Sequence, residues 1–328
     1  MLTKSVLDLE RSPYTLRDEV LAIKAILVEA GGIGIEPDSD ISSGETITEH
    51  GVAISPAMAA MCMDDFVRTV QFIRGVYAAV SAQPDKKPAR VLYAGCGPLA
   101  PLAIPLMTVL AADDVRFTLL DIHQKSIDSV EGIVGTFGLA DHVDEIVVGD
   151  AATHKINDTT RPDVIVVEML RAALEAEPQF DVCANLLSQA PDALLVPERV
   201  QLELALVNMA REFSFCEGDE EPDLERDRVD LGPLLGLSKE SILAFASNGI
   251  KLEQVRTPTT IPGFEPSRYD PMILTTIRTY GEHVLSDYDS GITCPRPLPV
   301  KASPDDAIEI AYARNGRPGI YVSRNSER

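Results

Sequence analysis

Between residues 89 and 196 the chain alternates short apolar runs with longer amphipathic stretches, and this alternation restricts the fold more than any other feature. The apolar runs are typical of strands and lie at 90–94, 116–120, 144–148, 163–167 and 193–196. Helix-like stretches separate them at 99–110, 124–137 and 178–189. Apolar strands separated by helices predict a parallel sheet covered on both faces.

The regions before and after this alternating segment have different sequence patterns. Helices are predicted at 15–30 and from Ser55-Pro56, a capping residue followed by proline, to about Ala82. After Pro197 turn-rich β segments predominate, and residues 306–313 and 320–323 predict a hairpin across Asn315-Gly316.

The predicted fold class is therefore α/β with three parts. An N-terminal helical segment at 1–85 precedes a Rossmann-like parallel-sheet core at 86–197, and a mainly antiparallel, barrel-like β domain follows at 198–328. Within the last part, further strands are expected at 200–208, 250–257 and 272–279, and a helix at 234–247.

Charge and composition exclude several classes of partner. The chain has 29 basic and 51 acidic residues, a net charge of −22, so it should repel nucleic acid and attract cationic small molecules. No stretch reaches the ~18 apolar residues that a membrane span needs. Residues 1–17 do not read as a signal peptide, and five scattered cysteines suggest neither disulfides nor a metal site. We expect a cytoplasmic protein that binds no membrane.

A glycine turn marks the candidate cofactor pocket. Residues 90–100 form a strand that breaks at Gly95 and Gly97 before a helix, which allows the backbone to approach a ligand closely. The next strand ends at Asp121, an acid suited to ribose hydroxyls, and the following one ends at Gly149-Asp150. The alternatives are an ordinary strand-to-helix turn and helix-capping acids.

Two cofactors use such an architecture, nicotinamide dinucleotides and S-adenosylmethionine. The dinucleotide fingerprint has a third glycine two or three residues on, where Leu99 and Ala100 stand here. No substrate-facing histidine or lysine stands out for hydride chemistry. The sequence therefore favours S-adenosylmethionine.

Two glutamates, Glu168 and Glu177, follow the strand at 163–167 with a spacing of nine. A pair of carboxylates matches the fork of donors on a planar guanidinium. The alternative interpretation is that both are solvent-facing helix acids, like Glu175.

Residues 55–206 resemble the protein arginine methyltransferase branch of the class I S-adenosylmethionine-dependent methyltransferases. Asp65-Phe66-Val67-Arg68-Thr69 resembles the family's Asp-x-Val-Arg-Thr, whose arginine grips the methionine carboxylate. Gly95-x-Gly97 is similar to the family's glycine loop, and Asp121 takes the position of the family's ribose-binding acid. Glu168 and Glu177 keep the spacing of its paired substrate glutamates.

The chain departs from the family at several points. Tyr93 replaces the acid two residues before the first glycine, and Leu99 replaces the third glycine. No clear Thr-His-Trp loop is present, and His283 is the candidate stand-in for its histidine, in a catalytic role.

The resemblance implies S-adenosylmethionine as cofactor and a guanidinium as methyl acceptor. The departures favour a small cationic substrate, with free arginine first, as in biosynthesis of arginine-derived natural products. The alternatives are another small amine, protein arginine, or a catalytically silent S-adenosylmethionine-binding protein. The family forms dimers through an arm, so we expect a homodimer, with residues 211–237 as the arm candidate.

Overall fold

The computed structural model describes residues 1–34, 42–213, 226–247, 256–301, 303–313 and 317–324. Its N-terminal region comprises helices and one small hairpin. The helices are α1 (Leu2–Leu7), α2 (Arg17–Gly31), α3 (Pro56–Met61) and α4 (Phe66–Ser81), and the hairpin is formed by β1 (Thr46–Ile47) and β2 (Val52–Ala53).

The single helix predicted from Ser55 to Ala82 is divided into α3 and α4. Ser55 caps α3 as expected, since its Oγ accepts from Met58 N at 3.1 Å. A 3₁₀ turn then leads to Asp65, whose φ of −77° and ψ of 76° are not helical. Asp65 caps α4 by accepting from Arg68 N at 3.4 Å, so the break places Arg68 in the first turn of a new helix.

The core is a parallel five-stranded sheet in the order β5-β4-β3-β6-β7, which confirms the predicted class. Its strands are β3 (Ala89–Ala94), β4 (Val115–Asp121), β5 (Val143–Val148), β6 (Val164–Val167) and β7 (Leu194–Val196). The helices between them are α5 (Ile104–Met107), α6 (Gln124–Phe137) and α7 (Gln179–Gln189). Strand β6 is buried along its whole length, as a strand covered on both faces must be.

Helix α5 is much shorter than the predicted 99–110. Proline disfavours helical geometry in the residue before it, and Pro101 follows Ala100, whose φ is +39°. The helix begins only at Ile104, with Pro105 in its first turn, where the missing N–H is tolerated.

The C-terminal region is antiparallel, as predicted. One sheet has the order β12-β11-β8-β9 with β13 paired to β11, and a second has the order β10-β14-β15. The strands are β8 (Arg199–Val207), β9 (Arg228–Ser238), β10 (Arg256–Thr260), β11 (Asp270–Tyr280), β12 (His283–Leu285), β13 (Arg296–Pro297), β14 (Ala307–Ala313) and β15 (Gly319–Arg324). The predicted hairpin is confirmed as β14–β15, while its Asn315-Gly316 turn lies outside the described residues.

Two predictions in this region are corrected. Residues 234–238 belong to β9, and helix α8 (Lys239–Ser247) begins only after them. The arm predicted at 211–237 is wrong for residues 228–237, because these form β9, the edge strand of a β-domain sheet, and pair with β8, with Val200 opposite Leu237. Residues 214–225 of the proposed arm and 250–255 of a predicted strand lie outside the described residues.

Helix α4 joins the two halves of the molecule. A Cβ placed on Gly75 would lie 2.4 Å from Thr279 Oγ1, so α4 and β11 approach as closely as only glycine allows. Thr279 Oγ1 also donates to Gln71 O at 2.9 Å. The helix that carries Arg68 is thereby fixed against the β domain.

None of the described helices has both the length and the apolar character that crossing a membrane would take.

Candidate functional site

A cavity lies at the carboxyl ends of β3, β4 and β6. This is the edge of a parallel sheet at which ligands bind. The cavity brings together all but one of the predicted site residues: Arg68, Gly95, Gly97, Asp121, Gly149, Asp150, Glu168 and Glu177. His283 is not among the residues that line it.

The glycine turn has the geometry that a close ligand approach requires. Gly95 and Gly97 have φ of +68° and +61°, in the left-handed region that other residues rarely adopt. A Cβ on Gly95 would lie 2.6 Å from Met169 Cε. The turn is tied to the neighbouring strand, since Gly97 N donates to Asp121 Oδ2 at 2.9 Å.

Asp121 retains free acceptor capacity although both its oxygens are engaged. Oδ2 accepts from Gly97 N, and Oδ1 accepts from His123 N at 2.8 Å. A carboxylate offers about four lone-pair sites, so two remain for hydroxyl donors. The alternative role as helix cap does not apply to Asp121, because the residue that caps α6 is His123.

Asp150 and Gly149 stand at the neighbouring strand end. Asp150 Oδ1 accepts from Ala152 N at 2.9 Å, which holds its carboxylate in a local turn. Gly149 N donates to Asp121 O at 2.9 Å, so the two strand ends are joined at the cavity wall.

Ser126 is a site residue that sequence reasoning missed. It lies in the first turn of α6, lines the cavity and is 1% exposed. Its Oγ has no hydrogen-bond partner in the part of the chain that the structure describes. A buried hydroxyl left unpaired is costly unless a ligand supplies the partner. Its position just after the Asp121 strand end was the available signal.

The segment between the two glutamates is a loop, not a helix. It contains one short 3₁₀ turn at Ala172–Leu174, and Ala173, Leu174 and Ala176 have positive φ of 58°, 56° and 66°. Left-handed geometry costs alanine or leucine roughly 1–2 kcal/mol each, so surrounding contacts must hold it. The interpretation of Glu168 and Glu177 as acids on a solvent-facing helix is therefore wrong.

The β domain and the N-terminal hairpin supply those contacts. Thr275 Oγ1 accepts from Ala173 N at 3.2 Å, and Tyr312 OH donates to Leu174 O at 3.0 Å. Ala176 N donates to Pro318 O at 2.7 Å, and Ala176 O accepts from Val52 N at 2.8 Å. The loop that presents both carboxylates, which we call the glutamate loop (residues 168–177), is thus held from two sides.

The hairpin forms a wall of the site that the sequence did not reveal. Thr48, Val52 and Ala53 line the cavity. A Cβ on Gly51 would lie 2.6 Å from Ala176 O, so only glycine permits this approach to the glutamate loop. Two-residue strands are too short for a period-2 pattern, which explains why the hairpin was not predicted.

Arg68 and Glu168 form an ion pair inside the cavity, in which Arg68 Nη2 donates to Glu168 Oε1. Their side chains are only 11% and 12% exposed. Burial disfavours the charged guanidinium, but Glu168, Cys62 and Glu177 outweigh it and raise the pKa of Arg68. Burial also raises the pKa of Glu168, and the opposing effect of Arg68 does not cancel it.

Glu177 is the second buried carboxyl, 8% exposed. Burial first, and then repulsion from Glu168, raise its pKa to about 7, against the smaller opposing effects of Arg68 and Arg171. Two carboxyls at this end of the cavity therefore share one buried arginine. The site would be stabilised by one further cation between them.

Tyr93 and Cys62 also line the cavity, and both side chains are uncharged at neutral pH. Burial, followed by the charge of Glu168, raises the pKa of Tyr93 well above its ordinary value. Burial raises the pKa of Cys62 to about 11. Tyr93 stands where the resembling family has an acid, so the cavity keeps an uncharged wall beside Glu168.

His283 lies on β12, opposite Tyr280. Its carbonyl accepts from Thr279 Oγ1 at 3.1 Å, and burial lowers the pKa of its ring. The β-domain segment that contacts the start of the helix carrying Arg68 contains Ser290, whose Oγ donates to Asp65 Oδ2 at 2.6 Å. That contact supports the cap of α4, and no histidine takes part in it.

No family model matches the sequence, and no curated protein matches it. Among solved structures, the Trypanosoma brucei PRMT1 enzyme–prozyme heterotetrameric complex with AdoHcy is similar, with a TM-score of 0.53 and 14% sequence identity. The match covers 82% of this chain and 94% of that chain. The likeness is one of fold. It confirms the predicted architecture of a Rossmann-like core followed by an antiparallel β domain.

Proposed function

We propose that the protein is an S-adenosylmethionine-dependent N-methyltransferase that acts on a guanidinium group, and that its substrate is free L-arginine or a small arginine derivative. The observation that carries the proposal is the pair of buried carboxyls, Glu168 and Glu177, beside a glycine turn and sharing a single buried cation. The proposal assigns to Glu168 and Glu177 direct contact with the substrate.

The residues at the sheet edge fit the cofactor. Gly95 and Gly97 line the cavity, Asp121 has lone pairs for two ribose hydroxyls, and the Ser126 hydroxyl has a free donor. The solved structure of similar fold is a complex with AdoHcy, the demethylated form of this cofactor. When bound, S-adenosylmethionine supplies an electrophilic methyl group on its sulfonium.

The end of the cavity that contains Glu168 and Glu177 suits a guanidinium better than an ammonium. Its planar fork donates to two carboxylates at once, whereas an ammonium is a point charge with short reach. Glu168 already accepts from Arg68, so Arg68 and the substrate would together balance the charges of Glu168 and Glu177. A neutral acceptor would leave this end of the cavity with an excess negative charge.

The two carboxylates would perform two tasks. By hydrogen bonding they hold the acceptor nitrogen in line with the methyl group, and such orientation is worth up to roughly 7–11 kcal/mol. They also draw positive charge to the nitrogens they contact, which leaves more electron density on the attacking one. With a pKa of about 7, Glu177 can accept the proton that methylation releases.

The experiment is a methylation assay with L-arginine, an arginine-containing peptide, L-lysine and a simple amine, read by mass spectrometry. We expect one added methyl group on L-arginine and none on L-lysine. Efficient methylation of lysine, or no methylation of any guanidine by protein that binds the cofactor, would contradict the proposal. The second outcome would favour a catalytically silent binding protein.

A further inference from the structure

Tyr93 brings a hydroxyl without a partner to the wall of the cavity. The residue stands on β3, two positions before Gly95, lines the cavity and is 3% exposed. Its hydroxyl makes no hydrogen bond to any residue that the structure describes, whereas the hydroxyl of the equally buried Tyr312 donates to Leu174 O. Polar groups in such surroundings are normally paired, so the Tyr93 hydroxyl is available to a ligand.

The register of the parallel sheet places Tyr93 between two carboxylates on one face. Paired residues of neighbouring strands share a face, and so do residues two positions apart in a strand. Tyr93 pairs with Leu119 of β4 and with Val166 of β6. Asp121 stands two positions after Leu119. Glu168 stands two positions after Val166. Since Tyr93, Asp121 and Glu168 all line the cavity, Tyr93 is the member on the middle strand.

The dimensions of S-adenosylmethionine fit this spacing. Neighbouring strands of a sheet lie roughly 4.8 Å apart. Four bonds of about 1.5 Å join the ribose 3′-oxygen to the sulfonium sulfur, which span roughly 5 Å when extended. With its ribose at Asp121 and its methyl group directed at an acceptor beside Glu168, the cofactor would place its sulfonium one strand away from Asp121. That strand is β3, and the side chain it contributes to this face is Tyr93.

The phenol at this position is neutral. Burial, and then the charge of Glu168, raise the pKa of Tyr93 well above its ordinary value, so the hydroxyl keeps its proton at neutral pH. Its oxygen has lone pairs that can accept from C–H groups, and those bonded to a cationic sulfur carry part of the positive charge. A carboxylate here would instead add a further anion to a wall that already contains Asp121, Glu168 and Glu177.

We propose that the Tyr93 hydroxyl binds the sulfonium of S-adenosylmethionine, and that its oxygen accepts from the methyl group that is transferred. The inference rests on the proposed function, because it takes S-adenosylmethionine as the cofactor and Glu168 as the acceptor end of the cavity. It adds a residue that distinguishes the charged methyl donor from AdoHcy, whose sulfur is neutral and carries no methyl group.

The test is calorimetry on wild type and Tyr93→Phe with S-adenosylmethionine and with AdoHcy, both without a methyl acceptor. Phenylalanine keeps the ring and removes only the hydroxyl. The affinity for S-adenosylmethionine should fall about 3- to 10-fold, the size of one hydrogen bond. The affinity for AdoHcy should stay unchanged, which also shows that the variant is folded.

Tyr312→Phe is the matched control, because Tyr312 is as buried as Tyr93 but does not line the cavity. It should change the affinity for neither ligand. Unchanged affinities in Tyr93→Phe, or equal losses for both ligands, would overturn this inference while the cofactor assignment stands. Wild-type protein that binds neither ligand would overturn the cofactor assignment and this inference together.

Discussion

At the scale of single residues, the ionisation of Glu177 governs the site. Burial and the neighbouring Glu168 raise its pKa to about 7, far above the ordinary value for a glutamate. A carboxyl whose pKa is higher in the folded than in the unfolded protein favours folding most when it is protonated. This contribution to stability is present at low pH and is lost as the pH rises through the folded-state pKa. The proposed clamp requires the ionised form of Glu177, so we expect activity and stability to have opposite pH dependence.

Glu177→Gln should therefore make the folded protein more stable at high pH. The variant should exceed the wild type in free energy of unfolding, and this excess should be roughly 2 kcal/mol larger at pH 8 than at pH 5. The reason is that glutamine at position 177 cannot ionise. Wild-type kcat/KM should rise with pH through about 7 and then level off. Denaturant titrations and rate profiles across this range check both. A stability gain independent of pH would contradict the pKa assignment.

Ser126→Ala tests the cofactor end. Its unpaired buried Oγ predicts a hydrogen bond to bound S-adenosylmethionine, so the variant should bind the cofactor about 3- to 10-fold more weakly. Calorimetry on the cofactor alone measures this without any turnover. Ser129→Ala serves as control, because Ser129 lies on the same helix but its Oγ already donates to Pro98 O at 2.7 Å. Equal affinity of wild type and Ser126→Ala would remove Ser126 from the site.

At the scale of elements, the glutamate loop carries the geometry of the clamp. Three residues of this loop have positive φ: Ala173, Leu174 and Ala176. Hydrogen bonds from β11, β14, the hairpin and Pro318 hold them in this conformation. The loop geometry is thus a property of the packed β domain rather than of the local sequence. Loosening any of these bonds should misplace Glu177 before it unfolds the protein.

Tyr312→Phe removes one of these bonds, the one from the Tyr312 hydroxyl to Leu174 O, while the aromatic ring is retained. We expect a loss of about 1 kcal/mol in stability and a clear drop in kcat/KM with unchanged cofactor affinity. Tyr321→Phe is the matched control, because the Tyr321 hydroxyl also donates to a backbone carbonyl, Arg317 O at 3.1 Å, but at the surface. Identical rates in the two variants would show that the bond from Tyr312 does not position the clamp.

The parallel sheet could be predicted from the sequence because each of its strands is a continuous apolar run, a local signal that burial on both faces imposes. That Gly95 and Asp121 line one cavity could be predicted because each directly follows a strand of that sheet, whereas Arg68 and Glu177 were predicted there from the resemblance to a family. The roles of all four stay predictions. The form of the glutamate loop could not be predicted, because contacts from residues 100 or more positions away impose its left-handed geometry. The role of Ser126 in the site could not be predicted either, because its hydroxyl becomes buried without a hydrogen-bond partner only in the folded protein.

At the scale of the whole molecule, helix α4 connects the candidate site to the β domain. It carries Arg68 at its first turn, packs against β11 through Gly75, and is capped by Asp65, which Ser290 of the β domain contacts. The chain has a net charge of −22, so if the proposed cationic substrate is correct, long-range attraction should speed its encounter with the site.

The homodimer stays a prediction at this scale. Light scattering at micromolar concentration should give twice the 35.5 kDa of one chain. A monomer under these conditions would contradict the prediction.

The most direct test of the account compares Glu168→Gln, Glu177→Gln and Glu175→Gln on L-arginine, with S-adenosylmethionine affinity measured for each. Gln keeps the size and one acceptor oxygen but removes the charge. Loss of a charge-assisted bond in the transition state costs on the order of 2–4 kcal/mol, or about 30- to 1000-fold in rate. We expect that loss for Glu168→Gln and Glu177→Gln, with cofactor still bound, and a nearly wild-type rate for Glu175→Gln, whose carboxylate contacts Arg296. Equal rates in all three variants would contradict the guanidinium clamp.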